Sequence, residues 1–417
     1  MAMVYMQHKT ISSIVYTSSY DSLMGVKKHH TSIQSLGNPD IRHNEYRDIF
    51  ENCNRLQLFL KNQHFSYFSG NSSMSQPKEI TIYDIARELN ISATTVSRGL
   101  KGHPTINKNT RKKIAEKAKE LGYTPNTFAG SLRSKRTNTI GVIVPRLNSY
   151  FMSSALAGME HIANKHGYNL IISQSLENAK KEIENAHTMF NRRVDGLIIS
   201  LSFNTENINH LLPFTGRNIP VIFFDRVFNS EQFTGVVIDN YAAAYEATKH
   251  LIQQGCKRIV HLAGNTIRNV YKDRLEGYMQ ALTDHQLKHD PKLVITSNLS
   301  EEAGIEAAQQ IIQMTKKPDG IFAANDNCAI YCMIHLKQAG IRIPEDIAVV
   351  GFNNDRVSQI IEPALSTINY PGYSIGETTA THLINHLQGD TNIQSTNTIV
   401  LRTELIIRAS SLKQKTG

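Results

Sequence analysis

The stretch Thr81-Ile-Tyr-Asp-Ile-Ala-Arg-Glu-Leu-Asn-Ile-Ser-Ala-Thr-Thr-Val-Ser-Arg98 carries two short helices in its spacing. Ile82, Ile85, Ala86 and Leu89 follow the i, i+3, i+4, i+7 rule of a helix with one apolar face, and Thr81 stands where an N-cap is wanted. After Asn90-Ile91, Ser92 caps a second helix, Ala93 to Leu100, whose Val96 and Leu100 share a face. Thr94, Thr95 and Arg98 occupy the other face. Lys101-Gly-His-Pro104 breaks the chain. A third helix, opened by Asn107 or Asn109, packs Ile114, Ala118 and Leu121 and stops at Gly122. Two short helices on a three-residue turn, with a third in support, match the helix-turn-helix plan, in which the second helix enters the major groove of DNA.

The charge is concentrated on the same segment. The chain carries a net +9, of which residues 78–136 hold +8, residues 1–77 hold +2 and residues 137–417 hold −1. Lys101, Lys108, Arg111, Lys112 and Lys113 cluster around the start of the third helix, where cations meet phosphates, while Thr94, Thr95 and Arg98 have the donors and methyl groups that read base edges. A small helical bundle with a solvated polar face is the plainer alternative.

With these residues in view, the run from Thr81 to Arg98 closely resembles the start of the lactose-repressor/galactose-repressor (LacI/GalR) family of bacterial transcription factors. Leu121-Gly-Tyr-Thr-Pro125-Asn126 and Ala129-Gly-Ser-Leu132-Arg133 resemble that family's hinge, and the resemblance continues to the C-terminus. It implies a homodimer, extensible to a tetramer, on a pseudo-palindromic operator of double-stranded DNA. Thr94, Thr95 and Arg98 correspond to base-contacting positions, and Lys101, Lys108, Arg111, Asn126 and Arg133 join the DNA contacts. Leu132 matches the apolar wedge that paired hinge helices insert into the minor groove. Gly99 and Gly130 depart from the pattern, and since glycine costs a helix about 1 kcal/mol relative to alanine, both regions are expected to be loose off DNA.

Beyond Arg136 the pattern changes to apolar runs alternating with helix-length amphipathic stretches. The runs are Thr139–Pro145, Asn169–Ser173, Val194–Ser200, Pro220–Asp225, Arg258–Gly264, Gly320–Asn325 and Ile347–Phe352. Such β-branched runs between helices predict parallel sheets covered on both faces, enough of them for two α/β lobes. Ligands of these folds sit outside the carboxyl ends of strands. Polar residues collect there, at Asp225-Arg226, Asp239-Asn240, Asn325-Asp326 and Asn353-Asn354-Asp355, although turn formation and helix capping also account for such residues.

The fold class is therefore an N-terminal three-helix DNA-binding head followed by a two-lobed α/β sensor resembling periplasmic sugar-binding proteins. The expected domains are an extension over 1–77, the head over 78–124, a hinge over 125–137 and the effector-binding and dimerisation domain over 138–417. The resemblance places Tyr150 and Phe151 at ring-stacking positions, Asp225 and Arg226 at a pair holding ligand hydroxyls, and Arg268, Asn325 and Asn353 at further effector contacts. It points to a repressor of carbohydrate-utilisation genes governed by a sugar or sugar phosphate. Many relatives have Asp where this chain has Asn353, and Leu299 stands where an aromatic is frequent. A nucleobase-like ligand or a protein co-regulator therefore stays open.

Other classes find less support. No G-x-G-x-x-G follows a strand, and no G-K-[ST] loop, G-x-S-x-G elbow or H-E-x-x-H occurs. Cys328 and Cys332, one helical turn apart, read as core rather than metal ligands. No cofactor, metal or membrane partner is expected. Four cysteines suit a reducing cytoplasm, the first twenty residues lack a signal-peptide h-region, and no apolar run approaches the ~18 residues of a membrane span. The alternatives are a dinucleotide-dependent enzyme with a DNA-binding head and a sugar-binding protein without a regulatory role. Residues 1–73 lack periodicity, and Met74 precedes the first helix by the short lead usual in the family, so translation starting at Met74 is the expectation.

Overall fold

The computed structural model describes residues 80–124, 136–228, 232–395 and 397–413, and the chain divides into two units at Thr124–Pro125. The first unit holds α1 (Ile82–Leu89), α2 (Ala93–Leu100) and α3 (Lys108–Glu120). Asp84 starts α1 by accepting hydrogen bonds from both the backbone N–H and the hydroxyl of Thr81, at 2.9 and 2.7 Å. Asn90, left-handed at φ 52°, ends it, and Asn is one of the few residues that adopts this conformation cheaply. Ser92 then accepts from the Thr95 N–H at 3.1 Å, and Asn107, not Asn109, caps α3 by accepting from Thr110 at 2.8 Å. Ile85, Val96 and Ile114 are wholly buried together, one from each helix.

Gly99 has a packing role that the helix pattern did not show. It is buried against Ile114, and a Cβ at Gly99 would run into the Ile114 Cδ1. The glycine lets α2 lie close on α3, so its cost in helix propensity is offset by packing.

The second unit contains two six-stranded sheets. The first is built from β1 (Thr139–Val144), β2 (Asn169–Gln174), β3 (Gly196–Ile199), β4 (Val221–Phe224), β5 (Thr234–Ile238) and β11 (Thr398–Leu401), in the order β11-β5-β4-β3-β1-β2. The second has β6 (Ile259–Ala263), β7 (Val294–Thr296), β8 (Gly320–Ala323), β9 (Ala348–Asn353), β10 (Ser366–Asn369) and β12 (Leu405–Ile406), in the order β12-β10-β9-β8-β6-β7. Every pairing is parallel except β10 with β12. Strands β3, β4, β6 and β8 are buried at every residue, as continuous apolar runs between helix layers should be.

The helices of this unit are α4 (Tyr150–Lys165), α5 (Ala179–Asn191), α6 (Leu212–Gly216), α7 (Asn240–Gln253), α8 (Asn269–Asp284), α9 (Glu301–Gln313), α10 (Asp326–Gln338), α11 (Val357–Ile360) and α12 (Gly372–Gln388). The chain passes between the lobes after β5, after β10 and after β11. Helix α12 thereby returns to the first lobe and crosses α4 at backbone contact. Gly158 and Gly376 permit it: a Cβ on either would strike the carbonyl oxygen of Tyr373 or of Ala155. Cys328 and Cys332 are fully buried in the second lobe's core.

Candidate functional site

In the head, the capping that starts α2 sorts the residues expected to read DNA. The Thr95 hydroxyl lies 2.8 Å from that of Ser92, so Thr95 is partly buried and spends its polar group on the helix start. Thr94 and Arg98, one turn apart, are exposed on the face opposite Val96. Around the start of α3, Lys101, Lys108, Lys112 and Lys113 are exposed, whereas Arg111 is half-buried and donates to the Gly102 carbonyl at 3.1 Å. Lys112 pairs only loosely with Glu116, at 3.9 Å. The first turn of α3 holds no acidic residue, although the helix dipole favours anions there. Four basic side chains near unsatisfied N–H groups are placed at an electrostatic cost that a phosphate would relieve. Tyr83 on α1, 66 % exposed, adds a large ring to the surface. Asn126, Leu132 and Arg133 lie outside the described residues.

The second unit has a cavity of about 510 Å³ between its lobes, at the carboxyl ends of the strands. Tyr150, Phe151, Asp225, Arg226, Asn325 and Asn353 all line it. Asp225 ends β4 in a left-handed conformation, φ 58°, which turns its carboxylate inward. Oδ1 accepts from the Tyr370 hydroxyl at 2.8 Å and Oδ2 from that of Ser200 at 3.1 Å. Burial pushes the Asp225 carboxyl above its usual range, against the opposing pull of Arg226.

Arg226 departs from expectation in its partners. Its Nη1 donates to both oxygens of Glu177, at 2.8 and 3.0 Å, and its Nη2 to the Tyr271 hydroxyl at 3.1 Å. The guanidinium lies 4.3 Å over the Phe203 ring. Burial opposes its charge, but the Tyr271 hydroxyl and the carboxylates of Glu177 and Asp225 raise its pKa and hold it charged. Arg226 is thus a wall fixed by protein atoms before any ligand arrives. Glu177 was invisible in the sequence because Leu176 and Glu177 follow β2 in two consecutive left-handed conformations that no motif announces.

Arg268 is a correction. It does not line the cavity: as the N-cap of α8 it reaches the opposite lobe, where its Nη2 donates to the Thr205 carbonyl. Arg274, a turn and a half further along α8, is the second buried guanidinium on the cavity wall. Its Nε donates to Asn240 at 2.9 Å, its Nη1 to the Ala324 carbonyl at 2.6 Å, and its plane lies 3.5 Å over the Phe352 ring. The family resemblance had placed the effector-contacting arginine at Arg268. The 3.6-residue period instead carries Arg274 inward.

The remaining walls divide into held and available groups. Phe151 stacks on Tyr370 at 4.1 Å, and Tyr150, 41 % exposed, has the Arg356 guanidinium 5.5 Å over its ring. Asn325 caps α10 through Cys328 N–H at 2.8 Å and donates to the Leu299 carbonyl at 3.1 Å. Asn353, at φ 121°, and Asp355 end β9, and Oδ1 of Asp355 is buried without a hydrogen-bond partner among the described residues. Asp239, Asp326 and Asn354 prove structural: Asp239 caps α7 at Ala242, Asp326 accepts from Thr367 and from Asp355 N–H, and Asn354 accepts from Arg408.

Comparisons with known proteins agree with this architecture. Residues 81–126 match the family model described as bacterial regulatory proteins, lacI family, and residues 137–408 match that of periplasmic binding proteins and the sugar-binding domain of the LacI family. The chain is 33 % identical to catabolite control protein A of Priestia megaterium, over 75 % of this chain and 94 % of that protein. It is 30 % identical to the transcriptional repressor CytR of Escherichia coli, over 81 % and 97 %. Among solved structures, a lac repressor dimer bound to operator and an anti-inducer superposes with a TM-score of 0.73 at 25 % identity, covering 80 % of this chain and all of that one. A CelR–cellobiose complex gives 0.60 at 26 %, covering 79 % and 99 %.

Proposed function

We propose, from the plain fact that the chain belongs to the LacI family of bacterial regulatory proteins, that it is a sequence-specific transcriptional repressor of carbohydrate-utilisation genes. It works by binding rather than catalysis, in the cytoplasm, as a homodimer on a pseudo-palindromic operator. Among the described residues no helix is long and apolar enough to cross a membrane. Thr94 and Arg98 read bases, Lys101, Lys108, Lys112 and Lys113 meet phosphates, and Thr95 and Arg111 support the α2 and α3 starts. The observation that carries the DNA reading is the uncompensated basic start of α3 beside the exposed Thr94–Arg98 face. The hinge brings Leu132 as wedge and Asn126 and Arg133 as contacts to the operator.

The cavity is the effector site. Aromatic rings, amides and a buried carboxylate oxygen without a partner suit a ring-shaped polyhydroxy ligand, whose hydroxyls can donate to Oδ1 of Asp355. Its walls carry four arginines, Arg146, Arg226, Arg274 and Arg356, against five acids, Glu177, Asp225, Glu301, Glu302 and Asp355. With no excess of positive charge, a neutral sugar fits better than a sugar phosphate. Ligand-dependent closure changes the spacing of the paired hinges, and so operator affinity.

Operator selection tests this function. The full chain should enrich a pseudo-palindrome from a random duplex library, bound at least about a thousandfold more tightly than random sequence and weakening steeply with salt. Recovery of unbiased sequence would refute it.

A further inference from the structure

The turn that presents Asp225 and Arg226 to the cavity belongs to the first lobe, yet a residue of the second lobe grips its backbone. Asn269, the first residue of α8, accepts the Val227 N–H on Oδ1 at 3.0 Å and donates from Nδ2 to the Asp225 carbonyl at 3.2 Å. One amide side chain thus pairs with a donor and an acceptor two residues apart, as a neighbouring β-strand would. Its flanks reach the same lobe: Arg268 donates to the Thr205 carbonyl, and the Tyr271 hydroxyl accepts from Arg226 at 3.1 Å.

We infer that Asn269 is a positioning residue that ties the orientation of Asp225 and Arg226 to closure of the lobes. Asp225 sits at φ 58°, a left-handed conformation that aspartate tolerates better than most residues but that still carries a cost its surroundings offset. Part of what holds it comes from across the cleft. The hydrogen bonds to its carboxylate come from Ser200 on its own lobe and from Tyr370 at a crossover strand, whereas those to its main chain on the C-terminal side come from Asn269. Opening the lobes withdraws α8, frees the Val227 N–H and the Asp225 carbonyl to water, and releases the turn. The main chain on the C-terminal side of Asp225 is therefore clasped only in the closed arrangement, while Ser200 and Glu177 of the first lobe keep their hold on the two side chains. The clasp uses protein atoms alone, so it acts in the absence of ligand. The inference rests on the cavity being the effector site only for its consequence, not for the clasp itself.

The test is amide hydrogen exchange on the full chain without ligand, resolved to single residues in the peptide spanning Phe224 to Phe228. In the wild type, Val227 N–H should be protected. In Asn269→Ala it should exchange at least about tenfold faster, the factor expected from losing hydrogen bonds worth about 1.4 kcal/mol. Asn269→Gln keeps both the amide acceptor and the amide donor on a longer stem and should exchange more slowly than Asn269→Ala, a partial rescue that loss of side-chain packing does not explain. Equal exchange in the wild type and Asn269→Ala would overturn the inference. So would acceleration in Asn269→Ala that spreads through β1, β3 and β4, which marks a folding defect, or equal acceleration in both variants. No effector enters the measurement, so an error about the cavity's ligand leaves its outcome unchanged.

Discussion

Glu177 and Arg226 form a buried ion pair in which one guanidinium nitrogen lies 2.8 and 3.0 Å from the two carboxylate oxygens, and both side chains are about nine-tenths buried. The pair closes one wall of the cavity, with Phe203 beneath the guanidinium and Tyr271 of the other lobe at its edge. Its members come from segments 49 residues apart, so each depends on the fold to be neutralised.

Removing one member strands the other. Glu177→Ala should destabilise the sensor by about 3 kcal/mol, since a buried charge without its partner is more costly than a missing pair. Glu177→Met with Arg226→Met should recover much of that loss in urea unfolding. Equal destabilisation in the single and double variants would show that the pair is not coupled.

Arg98→Ala should weaken operator binding by about 1–3 kcal/mol and relax preference at one position per half-site. Lys108→Ala should weaken all sequences alike and lower the salt dependence. Mobility shifts on operator and random duplex at several salt concentrations separate the two classes. An equal loss on every sequence for Arg98→Ala would move that residue among the phosphate contacts.

Gly99→Ala sets two effects against each other. Helix propensity gains about 1 kcal/mol, but the added methyl meets Ile114, which is wholly buried in the head's core. Overpacking by about 1–3 kcal/mol should win, and thermal unfolding of the head should come at a lower temperature. A higher midpoint would mean that Ile114 can rotate away.

Two buried carboxyls give the sensor a pH dependence. Burial raises Asp326 to about 7, helped by the nearby Asp355, which burial itself raises to about 6. A carboxyl whose folded pKa is raised binds its proton more tightly in the folded state. Its effect is absent below about pH 4, where the unfolded chain is protonated too, and its penalty grows until the folded carboxyl has ionised. Stability attributable to Asp326 should therefore fall as pH rises from about 4 to 7. Asp326→Asn should flatten that window in urea midpoints taken between pH 4 and 8. An unchanged slope would show that Asp326 is ionised throughout.

The sequence made the three head helices legible because each has its own cap and apolar stripe: Thr81, Ser92 and Asn107 begin them, and Ile85, Val96 and Ile114 meet at their centre. The seven apolar runs became β1, β2, β3, β4, β6, β8 and β9. Strands β5, β7, β10, β11 and β12 were not read, being short, broken by Gly235, or polar as in Ser366–Asn369, and defined by pairing rather than by local pattern. In the cavity, Asp225, Asn325 and Asn353 were legible as strand-end polar residues. Glu177, Tyr271, Arg274 and Tyr370 were not, because helix phase and lobe crossing decide where they point.

The central claim is that a ligand held between the lobes changes operator affinity. Fluorescence anisotropy on the selected operator, with and without each neutral sugar that raises the thermal midpoint of the full chain, tests it most directly. At least one such sugar should change the operator Kd about fivefold or more, and Arg274→Ala should abolish both the thermal shift and the change in Kd while binding the operator normally without ligand. If every stabilising ligand left operator affinity unchanged, or if Arg274→Ala responded like the wild type, the account of this cavity as the regulatory site would be contradicted.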